Sequence, residues 1–217
     1  MGCRLTGIAG IDLLVCPYRR GWIIDISGPW SITGPVMHRA IVEAAARGRV
    51  AVIVVQDFGG LDPYRLNRLM RLRGITDDRI LVARAFRHQD VPGIIEEASL
   101  LGVGAIVVRH PYMHAPENPR EAWRNTAIAG SLRKASQHGV TVLVFNQPSP
   151  HGRRVPRGGS LHVHSAHVMI RLEPWRRGVR AELVKHPWRP TPRSSYVSSL
   201  ELGWQAWAGQ RPLTDYL

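Results

Sequence analysis

An α/β fold, with a mostly parallel central sheet, helices on both faces and an antiparallel C-terminal flank, is predicted by three features of this 217-residue chain. Short β-branched runs recur at Trp22–Ile26, Val50–Val55, Ile80–Ala85, Ala105–Val108 and Val140–Phe145, roughly 30 residues apart. Helical stretches fill the intervals, at Pro35–Arg47, Pro63–Arg73, Val91–Leu101 and Pro119–His138. After Phe145 the pattern turns to strands alone: His167–Leu172, Val179–Lys185 and Tyr196–Leu202. The alternation calls for βαβ units around a parallel sheet covered on both sides. The strands that follow, with a turn at Arg176-Arg177-Gly178, call for a hairpin at its edge. Residues 1–217 are expected to form a single domain around one core.

Gly21–Ser27 (GWIIDIS) predicts a buried strand, Gly28-Pro29-Trp30-Ser31-Ile32-Thr33-Gly34-Pro35 a tight loop, and Val36–Arg47 a helix. That order has the outline of a phosphate-binding loop, GxxxxGK[ST], which needs a Lys on the phosphates and a hydroxyl on Mg²⁺. Gly34 stands where the Lys belongs and Pro35 where the hydroxyl belongs. Pro35 suits a first helical position but removes a backbone donor from any phosphate cradle. Gly28, Ser31, Thr33, Gly34 and Pro35 thus line a pocket whose chemistry is degraded.

Composition narrows the class of partner. The formal charge is +13, and 27 of the 29 basic residues are arginine. Arginine forks onto phosphate oxygens and stacks on bases, so a nucleic acid is favoured, although a GC-rich genome or a hot habitat also enriches arginine. Cys3 and Cys16 form no CxxC pair; both are expected reduced and inert, as in a reducing cytoplasm. The apolar runs are strand-length, and no leader or membrane span is expected. His162, His164 and His167 lack an acidic or thiol partner at ligand spacing, so no metal is expected.

Five segments, in order, resemble the core of the archaeal RadA recombinases. They are Leu5-Thr6-Gly7 with Gly10-Ile11-Asp12; Leu81–Phe86, flanked by Asp77–Ile80 and Ile94–Ala98; Val144-Phe145-Asn146-Gln147; Gly158-Gly159; and His164-Ser165. The resemblance implies a RecA-like P-loop NTPase fold and a place in homologous recombination and DNA repair. It also marks further losses. Phe58 takes the position of the catalytic Glu, and Arg109 that of the Mg²⁺-linked Asp at the end of its strand. With Gly34 and Pro35, these losses imply a pseudo-ATPase that needs no cofactor. Arg109 is expected either to reach out to an acidic neighbour or to hold a phosphate without metal. The family's N-terminal helical domain and its Phe-x-x-Ala donor peptide have no counterpart before Leu5, so self-assembly into a filament is not expected.

The same resemblance places the partners. Arg153, Arg154 and Arg157 fall in the second DNA-binding loop, shortened here, and Arg120 and Arg124 near the first, where an exposed helix face would look the same. DNA, single- or double-stranded and without sequence preference, is the expected ligand. Leu81, Ala83, Ile94, Ala98 and Leu101 match the surface that receives the donor peptide, and ordinary core burial would give the same apolar pattern. An active RadA-type recombinase or another paralog is the expected protein partner, in a cytoplasmic, nucleoid-associated setting. The alternatives are an interaction subunit that caps or remodels a recombinase filament with little DNA contact, and a residual metal-free nucleotide binder.

Overall fold

A computed structural model describes residues 3–56, 58–114, 123–149 and 152–203, the side chains of residues 152–155 excepted. Eight strands form one sheet in the order β10-β9-β8-β1-β5-β4-β2-β3. Six are parallel: β8 (Val168–Trp175), β1 (Ile23–Ser27), β5 (Thr141–Asn146), β4 (Ala105–Arg109), β2 (Val50–Val55) and β3 (Ile80–Ala85). β9 (Gly178–Lys185) and β10 (Arg193–Ser198) add antiparallel to β8 and form the expected flank. The hairpin closes where expected, with Trp175 paired to Gly178 across Arg176 and Arg177.

Strand periodicity sorts side chains into two cores. Val50, Val52 and Val54 face the helices α1 (Ala9–Val15), α2 (Trp30–Ala45) and α3 (Pro63–Arg73). Ala51, Ile53 and Val55 face α4 (Val91–Leu100) and α5 (Trp123–Gln137) on the other side. β2 is therefore apolar at every position, as a doubly covered parallel strand requires. Helix α3 matches its expected span because its signals are local: Asp62 caps the N–H of Arg65 at 3.0 Å, Pro63 opens the first turn, and Gly74 closes the helix at φ 63°.

Four expectations need correction. The tight loop Gly28–Pro35 is only Gly28-Pro29, because α2 already begins at Trp30 and Pro35 lies inside it. The third C-terminal strand ends at Ser198. There a capping box with Glu201 starts the short helix α7 (Ser199–Leu202), which overrides the β-branched pattern. The loop expected to carry Arg153, Arg154 and Arg157 is not all loop. β6 (Pro148–Ser149) and β7 (Gly152–Pro156) make a two-stranded ribbon, and α6 (Gly159–Ser165) follows it.

The fourth correction concerns the cysteines. Cys3 and Cys16, expected to be reduced, are joined in a disulfide across a Cα separation of 5.8 Å. The cause is Asp12, whose carboxylate accepts the backbone N–H groups of Leu5, Thr6 and Gly7 and the Thr6 hydroxyl. These bonds turn the N-terminal segment back along α1 until residue 3 meets residue 16. No short-range motif announces such a pairing, and the inference to a reducing compartment loses its support.

Candidate functional site

The carboxyl ends of β1, β4 and β2, where α/β sheets hold ligands, are filled here by the chain's own side chains. β1 leaves the sheet at Gly28, where an added Cβ would lie 2.5 Å from the Leu172 carbonyl oxygen of β8. The chain then enters α2 directly. Four residues into that helix Gly34 does two things. Lacking a Cβ, it relieves the clash that Pro35 would impose on a preceding helical residue. It also makes room for Trp30, one turn earlier on the same face, whose ring an added Cβ would meet at 2.9 Å. Thr33 spends its hydroxyl on the Pro29 carbonyl at 3.2 Å, and Ser31 faces solvent.

Arg109 ends β4 on the same side of the sheet, since it continues the Ala105, Val107 alternation toward α2. It is only 3% exposed. It does not reach solvent, and among the described residues it meets no acid. Its guanidinium lies 3.8 Å from the centre of the Trp30 ring, a close cation–π contact, and Nη1 donates to the Gln56 side-chain oxygen. Gly60 is needed beside it, because an added Cβ would stand 2.5 Å from Nη1. Burial, and then the neighbouring Arg84, push the Arg109 guanidinium down to about 10, so it stays charged at neutral pH. Phe58 is 84% exposed.

His110 completes the cluster. Its backbone takes the left-handed φ of 50°, and its imidazole meets the Trp30 ring edge-on at 5.5 Å. Both ring nitrogens are buried without a hydrogen-bond partner. Burial first, then the charges of Arg109 and Arg157, lower it to about 3, which keeps it neutral. The Arg109 Nε and the Arg157 Nε are likewise buried and unpartnered. A magnesium–nucleotide group does not fit these residues. The position that would hold its carboxylate carries a guanidinium, the glycine is covered by an indole, and the hydroxyl is already bonded.

A second buried constellation sits on the opposite face. Asp25 of β1, with its side chain fully buried, accepts from His162 Nε2 at 2.8 Å and from the Asn146 amide at 3.2 Å. With its proton on Nε2, His162 takes the Tyr112 hydroxyl on Nδ1 at 3.0 Å. Asn146 also donates to the Arg157 carbonyl at 2.8 Å, and Arg157 donates its N–H to the Gln147 carbonyl at 3.0 Å. Gly158 must be glycine, because a Cβ there would lie 2.4 Å from the Tyr112 ring. Burial, followed by the Asp25 charge, raises the Tyr112 phenol well above 10. The network is sealed from solvent and its chemistry is positional: it fixes the base of the β6–β7 ribbon to β1, β5 and α6. The signal that could have found it is Asp25, a carboxylate flanked by isoleucines in a buried strand.

The remaining expected residues are spread more widely. Arg157 is half-buried at the ribbon's base, and Arg153 and Arg154 lie on β7, their side chains outside the described residues. Arg120 lies outside them altogether. Arg124, in the first turn of α5, is 5.6 Å from the centre of the Trp123 ring. Leu81, Ala83 and Ile94 are half-buried, Ala98 is a core residue at 5% exposure, and Leu101 is 52% exposed. The three histidines do not converge: His162 is in the Asp25 network and His167 accepts the Ile23 N–H at 3.0 Å. Among the described residues no group of three or more His, Cys, Asp or Glu could hold a metal, and no helix is long and apolar enough to cross a membrane.

Strand order, the crossover helices and the antiparallel flank define an α/β protein of RecA-like fold. The crystal structure of the RadB recombinase superposes on this chain with a TM-score of 0.71 and 19% sequence identity, covering 92% of this chain and 98% of that one. At that identity the likeness is one of fold. No family model and no curated protein matches the sequence.

Proposed function

We propose that this chain is a recombination protein that binds DNA without hydrolysing ATP. The observation that carries the reading is the stack of Trp30, Arg109 and His110 in the place where a RecA-like ATPase needs a phosphate cradle and a metal-binding carboxylate. A cation there repels Mg²⁺, and Gly34 cannot be opened to a lysine without displacing Trp30. DNA contact is assigned to the ribbon bearing Arg153, Arg154 and Arg157. It leaves the carboxyl edge of the sheet and is braced by the Asn146 and Asp25 network. The fold likeness to a recombinase and the arginine-rich charge support the same assignment.

The test is fluorescence anisotropy on labelled single- and double-stranded DNA across a salt series. Neutralising about three to five phosphates gives a log–log slope of roughly −2 to −5. Replacing Arg153, Arg154 and Arg157 by Ala flattens it by about two to three. Unchanged slope and affinity in the triple variant would move the DNA site elsewhere.

One observation favours the interaction-subunit reading beside it. β3 is the sheet's edge strand, and Val82, Phe86, Leu100 and Leu101 around it are more than half exposed. A recombinase partner docking there, beside Leu81, Ala83 and Ile94, would cover an apolar edge that is otherwise open to solvent. Co-purification with a recombinase that is lost in Leu101→Glu, while DNA affinity is kept, is the outcome this reading expects.

A further inference from the structure

At the opposite, amino end of the sheet lies a cavity of about 490 Å³ that the DNA-binding proposal does not use. It opens between the C-terminal end of α2 (Ala44, Arg47, Gly48), the starts of β4 and β5 (Gly104, Ala105, Thr141) and the segments bearing Arg4, Tyr18 and Arg20. Its volume is that of a small-ligand site, about 300–1,000 Å³. Three arginines line it and no acidic residue does. None of the three forms an ion pair among the described residues.

The wall is held in place rather than merely charged. Arg4 is fixed on one side by the Cys3–Cys16 disulfide and on the other by the Asp12 bonds to Leu5, Thr6 and Gly7. The Arg4 carbonyl accepts Arg47 Nη1, and the Arg47 guanidinium lies 5.9 Å from the centre of the Tyr18 ring. The nearest acids are committed elsewhere: Asp12 to the N-terminal turn, and Glu43 to Arg73. The α2 C-terminus contributes roughly half a negative charge, against three full positive ones. Ala44, Gly48, Gly104 and Ala105 in the lining are small, which leaves room for a flat ring beside Tyr18.

We propose that this cavity binds a nucleotide through a terminal phosphate, gripped by Arg4, Arg20 and Arg47, with the nucleoside against Tyr18. A concave pocket with three guanidiniums suits a terminal dianion better than a passing phosphodiester. The ligand is either a free nucleotide or the 5′-phosphate end of a strand.

Isothermal titration of the full chain with AMP, adenosine, and a thymidine dinucleotide with and without a 5′-phosphate tests this. The phosphorylated probes bind, and their dephosphorylated counterparts bind at least about tenfold more weakly. AMP alone binding identifies the free nucleotide, and the phosphorylated dinucleotide alone identifies the strand end. Replacing Arg4, Arg20 and Arg47 together by Ala weakens binding by at least about tenfold, whereas the Arg153, Arg154 and Arg157 triple variant keeps it. Arg20→Ala alone leaves the Arg4–Arg47 bond intact, so it decides the matter if the triple variant does not fold, with an expected loss of about threefold or more. The proposal is overturned if neither phosphorylated probe binds at about 5 mM. It is equally overturned if phosphate makes no difference, or if folded Arg20 and triple variants bind as the parent does.

Discussion

His110 offers a quantitative check on the filled carboxyl-edge site. Its imidazole is held neutral down to about pH 3 by burial and by Arg109 and Arg157, while in the unfolded chain it titrates at its ordinary 6.5. Between those values the unfolded state binds the extra proton, so stability rises with pH and is lost as pH falls below 6.5. Going from pH 7.5 to 5.0, the difference amounts to about 1.5 pH units of linkage, or about 2 kcal/mol at 1.36 kcal/mol per unit. Asn tolerates the left-handed backbone at position 110 and does not titrate. His110→Asn therefore lowers stability at pH 7.5 through the lost Trp30 contact, yet flattens the decline toward pH 5.0 by about 2 kcal/mol. His38, also lowered by burial, contributes an acid-labile component of the same sign in both proteins and cancels in the comparison. Urea melts at the two pH values measure it. Parallel pH dependences for the two proteins would show that His110 is not in the buried, cation-flanked position described.

Other outcomes follow from particular contacts. No ATP turnover above background is expected with or without DNA, in a phosphate-release assay. Gly34→Lys should not restore it and should itself lower stability by about 1–3 kcal/mol, because its side chain must displace the Trp30 ring. Tyr112→Phe leaves His162 Nδ1 buried without its donor and should cost about 1–3 kcal/mol in chemical denaturation. Reducing Cys3–Cys16 releases a loop of 13 residues and should lower stability by about 3 kcal/mol, read as a dithiothreitol-dependent shift in the urea midpoint. Ala98→Glu places a carboxylate in the core and should destabilise the fold, whereas Leu101→Glu, on the exposed side of the same edge, should leave the melting temperature nearly unchanged.

Much of the architecture was legible because its signals are short-range. β2 and β3 match the spans Val50–Val55 and Ile80–Ala85, and α3 matches Pro63–Arg73, since period, cap and stop signals all lie within a few residues of each element. The start of α2 was not legible in the same way. Gly28-Pro29 and Gly34-Pro35 bracket Trp30–Thr33 and spell a loop by every local rule. The helix wins because Gly34 lacks the Cβ that would clash with Pro35, and because Trp30 gains both that vacant space and the Arg109 guanidinium. The second of those gains comes from β4, almost 80 residues away in sequence. The disulfide, and the partners that Asp25 finds in His162 and Tyr112, were not legible for the same reason. Each depends on which distant residue the topology delivers, and neither Cys3 nor Tyr112 carries a local mark of its partner.

The replacement at the carboxyl edge is best understood as a coupled set. An arginine at position 109 alone would be a buried charge without compensation, a placement that costs several kcal/mol. Here the charge is met by the face of Trp30, by the Gln56 oxygen and by a glycine at 60 that leaves it room. Trp30 in turn requires Gly34, and Gly34 permits Pro35. Among the described residues no acid takes part, so as described the cluster carries a net positive charge beside the neutral His110 and the half-buried Arg157 at the ribbon's base. A site built for metal and nucleotide would set a Mg²⁺-binding carboxylate at this edge. This one retains positive charge next to the segment that carries Arg153 and Arg154, and so adds to the attraction for a polyanion there. Arg109→Leu separates charge from shape. With Trp30 still covered, folding should be retained, and DNA affinity should fall modestly and mainly at low salt, where an unscreened charge acts at a distance. A full loss of DNA binding in a folded Arg109→Leu variant would instead mean that Arg109 touches the phosphates directly, and that the edge opens when DNA arrives.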